Sequence, residues 1–133
     1  MQISETAAQR LREELIIWLT TVTPTGRPQT SPVWFLWEGG EFLIYSLADT
    51  ARVRNLAANP HVALNLDGDG LGGGVVSFEG IARFDVDAGP ASAVSAYVEK
   101  YRDRMIHHGW TPEEFSRRYP VAIRITTGRV RTW

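Results

Sequence analysis

From Ile16 to its end the chain is cut into short runs rich in β-branched and aromatic residues, with turn signals at the breaks. Ile16 to Val22 is followed by Pro24, Gly26 and Pro28, and Gln29 to Trp37 by Glu38-Gly39-Gly40. The paired glycines supply the positive φ angles of a tight hairpin into Glu41 to Tyr45. His61 to Asp67 and Val75 to Asp85 flank a Gly-rich connection, and Val121 to Thr126 and Arg129 to Trp133 read as two last strands. Six or seven short strands with few crossover helices predict an antiparallel sheet rather than a parallel one. Closing that sheet removes edges that would otherwise pair with other chains. The expected fold is therefore mainly β: a six- to seven-stranded antiparallel barrel with peripheral helices.

Those helices carry their own signals. Ser4 caps Glu5 to about Glu14, where Ala8, Leu11 and Leu15 fall at helical spacing. A second helix is expected from about Ala91 to Ile106. A third starts at T-P-E-E, with Thr111 as N-cap and Glu114 as the capping-box acid. No repeat or linker divides the chain, so residues 1–133 are expected to form one domain.

Composition excludes several partners. A formal net charge of -1 gives no basic surplus for nucleic acid. Without cysteine there is no disulfide and no thiol chemistry. The N-terminus lacks the apolar core of a signal peptide and no run reaches membrane-spanning length, so a cytoplasmic protein with no membrane partner is expected. No Ser-His-Asp set or carboxylate pair is legible, hence no catalytic side chain is assigned, and a borrowed cofactor becomes the natural source of chemistry. His107-His108 point about 100° apart on a helix and cannot easily chelate one metal; a solvated helix end explains them. Asp67 to Gly74 lacks a following helix and a Lys-Ser/Thr pair, which makes it a flexible hairpin connection rather than a phosphate cradle.

Tyr45 to Asp67 is the richest stretch for function. A strand ends at Tyr45, Asp49 or Thr50 caps a short helix carrying Arg52 and Arg54, and Pro60 stops it. Hydroxyls of Ser46 and Thr50, free first-turn amides and two guanidinium groups converge within one turn, which is how a phosphate or small dianion is held. A solvated basic helix end fits the same spacing, and spacing alone does not separate the two.

The run Y-S, loop, T-A-R-V-R-N-L, N-P-H-V-A-L resembles the phosphate-binding region of the flavin-binding split-barrel superfamily. Pyridoxamine 5'-phosphate oxidase typifies that superfamily, which includes enzymes using the deazaflavin coenzyme F420. P-T-G-R-P, S-P-V-W-F, E-G-G and V-V-S-F-E-G-I-A-R-F follow in the family's order. The resemblance implies an FMN-binding split-barrel fold and a homodimer with cofactor at its interface. The five tryptophans agree with a large apolar contact surface. It also implies hydride transfer from reduced F420 to a small unsaturated organic substrate, with FMN as the alternative cofactor and a non-catalytic cofactor-binding protein as the alternative function.

By the same resemblance, Thr30, Ser31, Pro32, Val33 and Trp34, with Phe35, match the strand facing the flavin or deazaflavin ring. Pro32, lacking an amide donor, belongs at an edge or bulge there. The aromatics of this strand serve equally as barrel core. Tyr45 and Ser46 match the pair beside the phosphate and ribityl chain; Thr50 and Arg52 match the phosphate loop. Ser77 matches the strand that reaches the cofactor from the other subunit. Two departures favour F420 over FMN: the first base of the phosphate motif is Ala51, and the second strand carries Thr30 and Phe35 where the oxidases have bases. Arg54 either compensates or faces solvent. The C-terminal R-V-R-T-W either covers the mouth of the pocket, with Arg129 or Arg131 meeting an anionic tail or substrate, or is a terminal strand with solvated arginines and Trp133 packed on a dimer partner; the second reading is slightly preferred.

Overall fold

A computed structural model describes residues 2–133. Its elements are α1 (Glu5–Glu13), β1 (Ile17–Val22), β2 (Pro28–Val33), β3 (Leu36–Glu38), β4 (Glu41–Ser46), α2 (Ala51–Ala58), β5 (His61–Leu66), β6 (Val76–Phe84), α3 (Ser95–His107), α4 (Pro112–Arg118) and β7 (Val121–Thr132). All seven strands pair antiparallel in the order β2-β1-β5-β6-β7-β4-β3.

The chain steps from one edge of this sheet to the other through Trp34 and Phe35 alone. Three Cα–Cα steps reach at most ~11 Å. A flat sheet of seven strands would hold its edges ~29 Å apart. The sheet must therefore curl until β2 and β3 nearly meet, and the result is a half-barrel. Three sequence expectations change here. Gln29 to Trp37 is two strands, because Trp34-Phe35 leaves one edge for the other inside an unbroken apolar run. The segment after Pro90 starts as a 3-10 turn at Ala91–Ala93, and the helix begins only at Ser95. The last two strands are one, since both halves pair with β6 around a register shift between Phe78 and Gly80. A Cβ on Gly80 would lie 2.7 Å from Ile125 Cγ2 and 3.0 Å from the Thr126 carbonyl oxygen, so only glycine allows this approach.

Alternation in β1, β5 and β6 sends Ile17, Leu19, Val62, Leu64, Leu66, Val76 and Phe78 inward, and α1 closes this interior with Ala7 and Leu11. A second cluster, dominated by aromatics, lies where α3 and α4 pack: Tyr97, Tyr101, Met105 and Phe115 meet Leu43 and Tyr45. Strand β4 serves both, giving Phe42 and Ile44 to the interior and Leu43 and Tyr45 to the aromatic side. Hence it is buried on both faces from Phe42 to Ser46.

The joint between the two regions is Phe35. Its backbone N–H donates to the Tyr101 hydroxyl at 2.7 Å, and Lys100 Nζ donates to its carbonyl at 3.0 Å. The Tyr101 proton reaches the Leu15 carbonyl at 2.8 Å, and Lys100 Nζ also reaches Leu11 O at 3.2 Å. Among the described residues, no helix is long and apolar enough to cross a membrane.

Candidate functional site

Helix α2 is capped at its start and tied to the barrel at its middle. Thr50 adopts an extended backbone and its Oγ1 accepts from Val53 N at 3.3 Å, while Arg54 N makes the first intrahelical bond, to Thr50 O at 3.2 Å. The amides of Ala51 and Arg52 precede that bond and are left to an outside acceptor. Buried Asn55 locks the helix to the barrel, donating to Thr21 Oγ1 at 3.0 Å and Gln29 Oε1 at 2.8 Å.

Arg52 lies against the β2 and β4 ends. Nη2 donates to Ser31 Oγ at 2.8 Å and Nη1 to Ser46 Oγ at 3.2 Å. Both partners are neutral. None of the ion pairs among the described residues includes Arg52, and its Nε is buried without a partner. Burial pushes its pKa down from the ordinary guanidinium value. A half-buried cation held only by hydroxyls, beside the first-turn amides of a helix, is a donor set that can bind an anion. The donor set suits a phosphate. Arg54, two residues on and therefore about 200° around the helix, pairs outward with Asp49 at 2.7 Å and is exposed.

Arg52 and Thr50 form a shared wall between two cavities. On one side Thr21, Gln29, Thr30, Ser31 and Ala51 line a polar cavity of about 500 Å³. On the other, Pro32, Val33, Trp34, Tyr45, Tyr97 and Phe115 are among the walls of an aromatic cavity of about 450 Å³. Strand β2 passes along both, and its place at the sheet edge accommodates Pro32 without losing a ladder bond. Trp34 stacks on Tyr101 at 4.6 Å and on Phe115 at 5.3 Å between ring centres. Tyr45 donates from its hydroxyl to Gly89 O at 2.9 Å, and burial raises its pKa.

Of the residues singled out from sequence, Thr30, Ser31, Pro32, Val33, Trp34, Tyr45, Thr50 and Arg52 line one cavity or both, and Ser46 holds Arg52. Arg54 is turned away. Ser77 pairs with Asn65 and Arg131 in the sheet and lines neither cavity. Asn55, Tyr97, Trp110 and Tyr119 escaped the sequence reading. The Tyr97/Tyr101 spacing marks a helix face; nothing local marks the other three. His108, read as a solvated helix end, is exposed, yet it stacks on Trp110 at 4.6 Å and borders the aromatic cavity. The Gly-rich segment joins β5 to β6 as expected, tied by Asp69 Oδ1 accepting from Leu71 N and Gly73 N and by Arg10 donating to the Asp67 and Gly74 carbonyls.

The sequence pattern of the family described as pyridoxamine 5'-phosphate oxidase matches residues 3–133. No curated protein matches the chain. Among solved structures, an F420 reductase is 22% identical with a TM-score of 0.74, covering 97% of this chain and 98% of its own. A conserved hypothetical protein from Mycobacterium tuberculosis is 26% identical with a TM-score of 0.76, covering 100% and 86%. The haem-storage protein of Vibrio cholerae is 16% identical with a TM-score of 0.68, covering 96% and 93%. These likenesses show the fold.

Proposed function

Because this chain belongs to the pyridoxamine 5'-phosphate oxidase family, we propose that it is an oxidoreductase using coenzyme F420, bound by a homodimer, with a small unsaturated organic molecule as substrate. The observation that carries this reading is Arg52, a half-buried guanidinium with neutral partners and an unpartnered Nε at the start of α2. One inward cation, with Thr30 and Ala51 uncharged beside it, suits the singly charged phosphodiester of F420. The phosphomonoester of FMN carries nearly two charges at neutral pH and calls for a second base.

When bound, the reduced deazaflavin supplies a hydride. This chain's residues bind, orient and exclude water. Arg52 and the Ala51 and Arg52 amides fix the phosphate, and the Thr50 hydroxyl, whose oxygen already accepts from Val53, has its proton to donate. The β2 edge from Thr30 to Val33 gives the ring a backbone to lie against, and Trp34 keeps one end of that edge dry. Catalysis then rests on geometry rather than on a side-chain acid or base. Ser77 would join the site only from a second copy.

Titration of the protein with oxidised F420 and, separately, FMN tests this through quenching of tryptophan fluorescence, since Trp34 and Trp110 border the aromatic cavity. Micromolar or tighter binding of F420 with weak FMN binding is expected, with oxidation of reduced F420 by an unsaturated acceptor. Preference for FMN overturns the deazaflavin assignment, and binding of neither overturns the cofactor role. Tight binding without turnover makes the protein a carrier.

A further inference from the structure

Helix α2 and strand β2 are joined by two polar rungs. In the first, Arg52 Nη2 donates to Ser31 Oγ at 2.8 Å; in the second, Asn55 Nδ2 donates to Gln29 Oε1 at 2.8 Å. A step of three along a helix, or of two along a strand, returns to the same face, so one helix face meets one strand face. Asn55 is buried, and its Nδ2 also donates to Thr21 Oγ1 at 3.0 Å, opposite Gln29 in the β1–β2 register. Both amide protons of Asn55 are thereby committed, and Gln29 meets them through its oxygen. Gln29 Nε2 makes no hydrogen bond among the described residues. Gln29 also lines the polar cavity of about 500 Å³ with Thr30, Ser31 and Arg52, and no carboxylate shares that lining. Its two N–H donors are a neutral counterpart, on the strand side, to the guanidinium on the helix.

We propose that Gln29, its amide oxygen held by Asn55, is a specificity-determining residue of the polar cavity, donating from Nε2 to a singly charged phosphodiester. This rests on the phosphate reading of Arg52 above. A neutral donor adds a hydrogen bond to the anion without adding charge. With one guanidinium beside it, the cavity then balances one negative charge. A phosphomonoester brings nearly two at neutral pH and leaves one of them without a counter-charge. The hold by Asn55 matters because the opposite end of the same amide would present an oxygen to the anion. Selection between the two esters therefore rests on the charge of the side chain at position 29 as well as on Arg52.

The test follows the side-chain NH2 signals of Gln29 and the backbone amides of Ala51 and Arg52 by NMR, with Gln29→Leu identifying the former. Isotope-labelled protein is titrated with F420 and, separately, with dimethyl phosphate, a singly charged diester. The Gln29 pair should move together with the two helix amides in both titrations. Movement of the helix amides with the Gln29 pair unmoved would overturn the proposal and leave the phosphate reading of Arg52 standing. If dimethyl phosphate moves all of these signals but F420 does not bind, Gln29 stands as an anion donor and the F420 reading fails. If neither ligand moves any of them, both readings fall. Gln29→Lys, at an exposed strand position, tests the selectivity through tryptophan quenching. Its preference for F420 over FMN should shift toward FMN by about tenfold, the worth of one further charge-assisted contact. An unchanged ratio of the two dissociation constants would overturn the specificity role.

Discussion

The barrel interior and the aromatic cluster outside β4 are both dry, yet they are built on different terms. The interior is mostly aliphatic, its rows set by strand alternation, and its buried polar groups are satisfied; Thr21, for instance, is held by Asn55. The aromatic side packs rings from Trp34, Tyr97 and Phe115, which lie far apart in the chain, and it contains both unpaired polar atoms and the larger share of the candidate site. One region holds the fold closed with its polar groups paired, and the other contains the unsatisfied ones.

The hardest test of that division is a pair of truncations. Phe78 is fully buried and edge-on to Phe42 at 5.1 Å, so Phe78→Ala should cost about 3–5 kcal/mol, a large part of a domain's stability. Trp110→Ala, at the half-buried rim, should cost only about 1–2 kcal/mol. Urea unfolding of both variants checks this, and equal losses would erase the distinction between the two regions.

Arg52 sharpens it next. Arg52→Ala should weaken F420 binding by about 1.5–3 kcal/mol, the loss of a charge-assisted hydrogen bond. Folding stability should stay level or rise, because a half-buried charge without a counter-ion is removed. Fluorescence titration and urea unfolding on the same variant read the two effects; an unchanged dissociation constant removes Arg52 from the phosphate site.

The two tyrosines of α3 give a smaller contrast. Tyr101→Phe orphans the buried Phe35 amide and should destabilise by about 1–2 kcal/mol. Tyr97→Phe removes a hydroxyl that has no partner and should leave stability level or higher. Thermal midpoints that fall together in both variants would show that Tyr97 carries a hidden structural bond.

The same division explains what could be read from sequence. Alternation in β1, β5 and β6 is local, and the mainly β antiparallel class and the helix start after Thr50 were legible from it and from the caps, whereas the total of seven strands agreed only because one expected strand is two and two expected strands are one. The passage from β2 to β3 was not, because V-W-F-L-W is an uninterrupted apolar run in which nothing marks a change of sheet edge. Nor was the aromatic cavity. Its walls come from β2, β4, α2, α3, α4 and the loops between them, and their meeting is fixed by the closure of the sheet rather than by neighbours in sequence. Arg54 stood beside Arg52 in the sequence but on another face of the helix, a distinction that needed only the 100° step per residue.

The joint between the regions offers the smallest and most directional test. Lys100 spans it, bonded to Leu11 O and Phe35 O with Nζ 3.7 Å from the Phe35 ring centre. Burial pushes its pKa down to about 8, with Glu14 opposing, from the value of 10.5 expected of a free lysine. Between those values the unfolded chain binds the greater share of the proton, so stability rises with pH across the window from about 8 to 10.5. The phenols of Tyr45, Tyr97 and Tyr101 are shifted the other way, above 10.0, so they withdraw stability as pH climbs beyond that value. The native protein should therefore gain a little between pH 8 and 10, under about 1 kcal/mol because water still reaches the amine, and lose above that. Lys100→Met should flatten the lower limb and keep the upper one. Urea midpoints at pH 7, 8, 9, 10 and 11 decide it: a variant profile parallel to the native one would mean that the joint between barrel and aromatic side does not feel the lysine's charge.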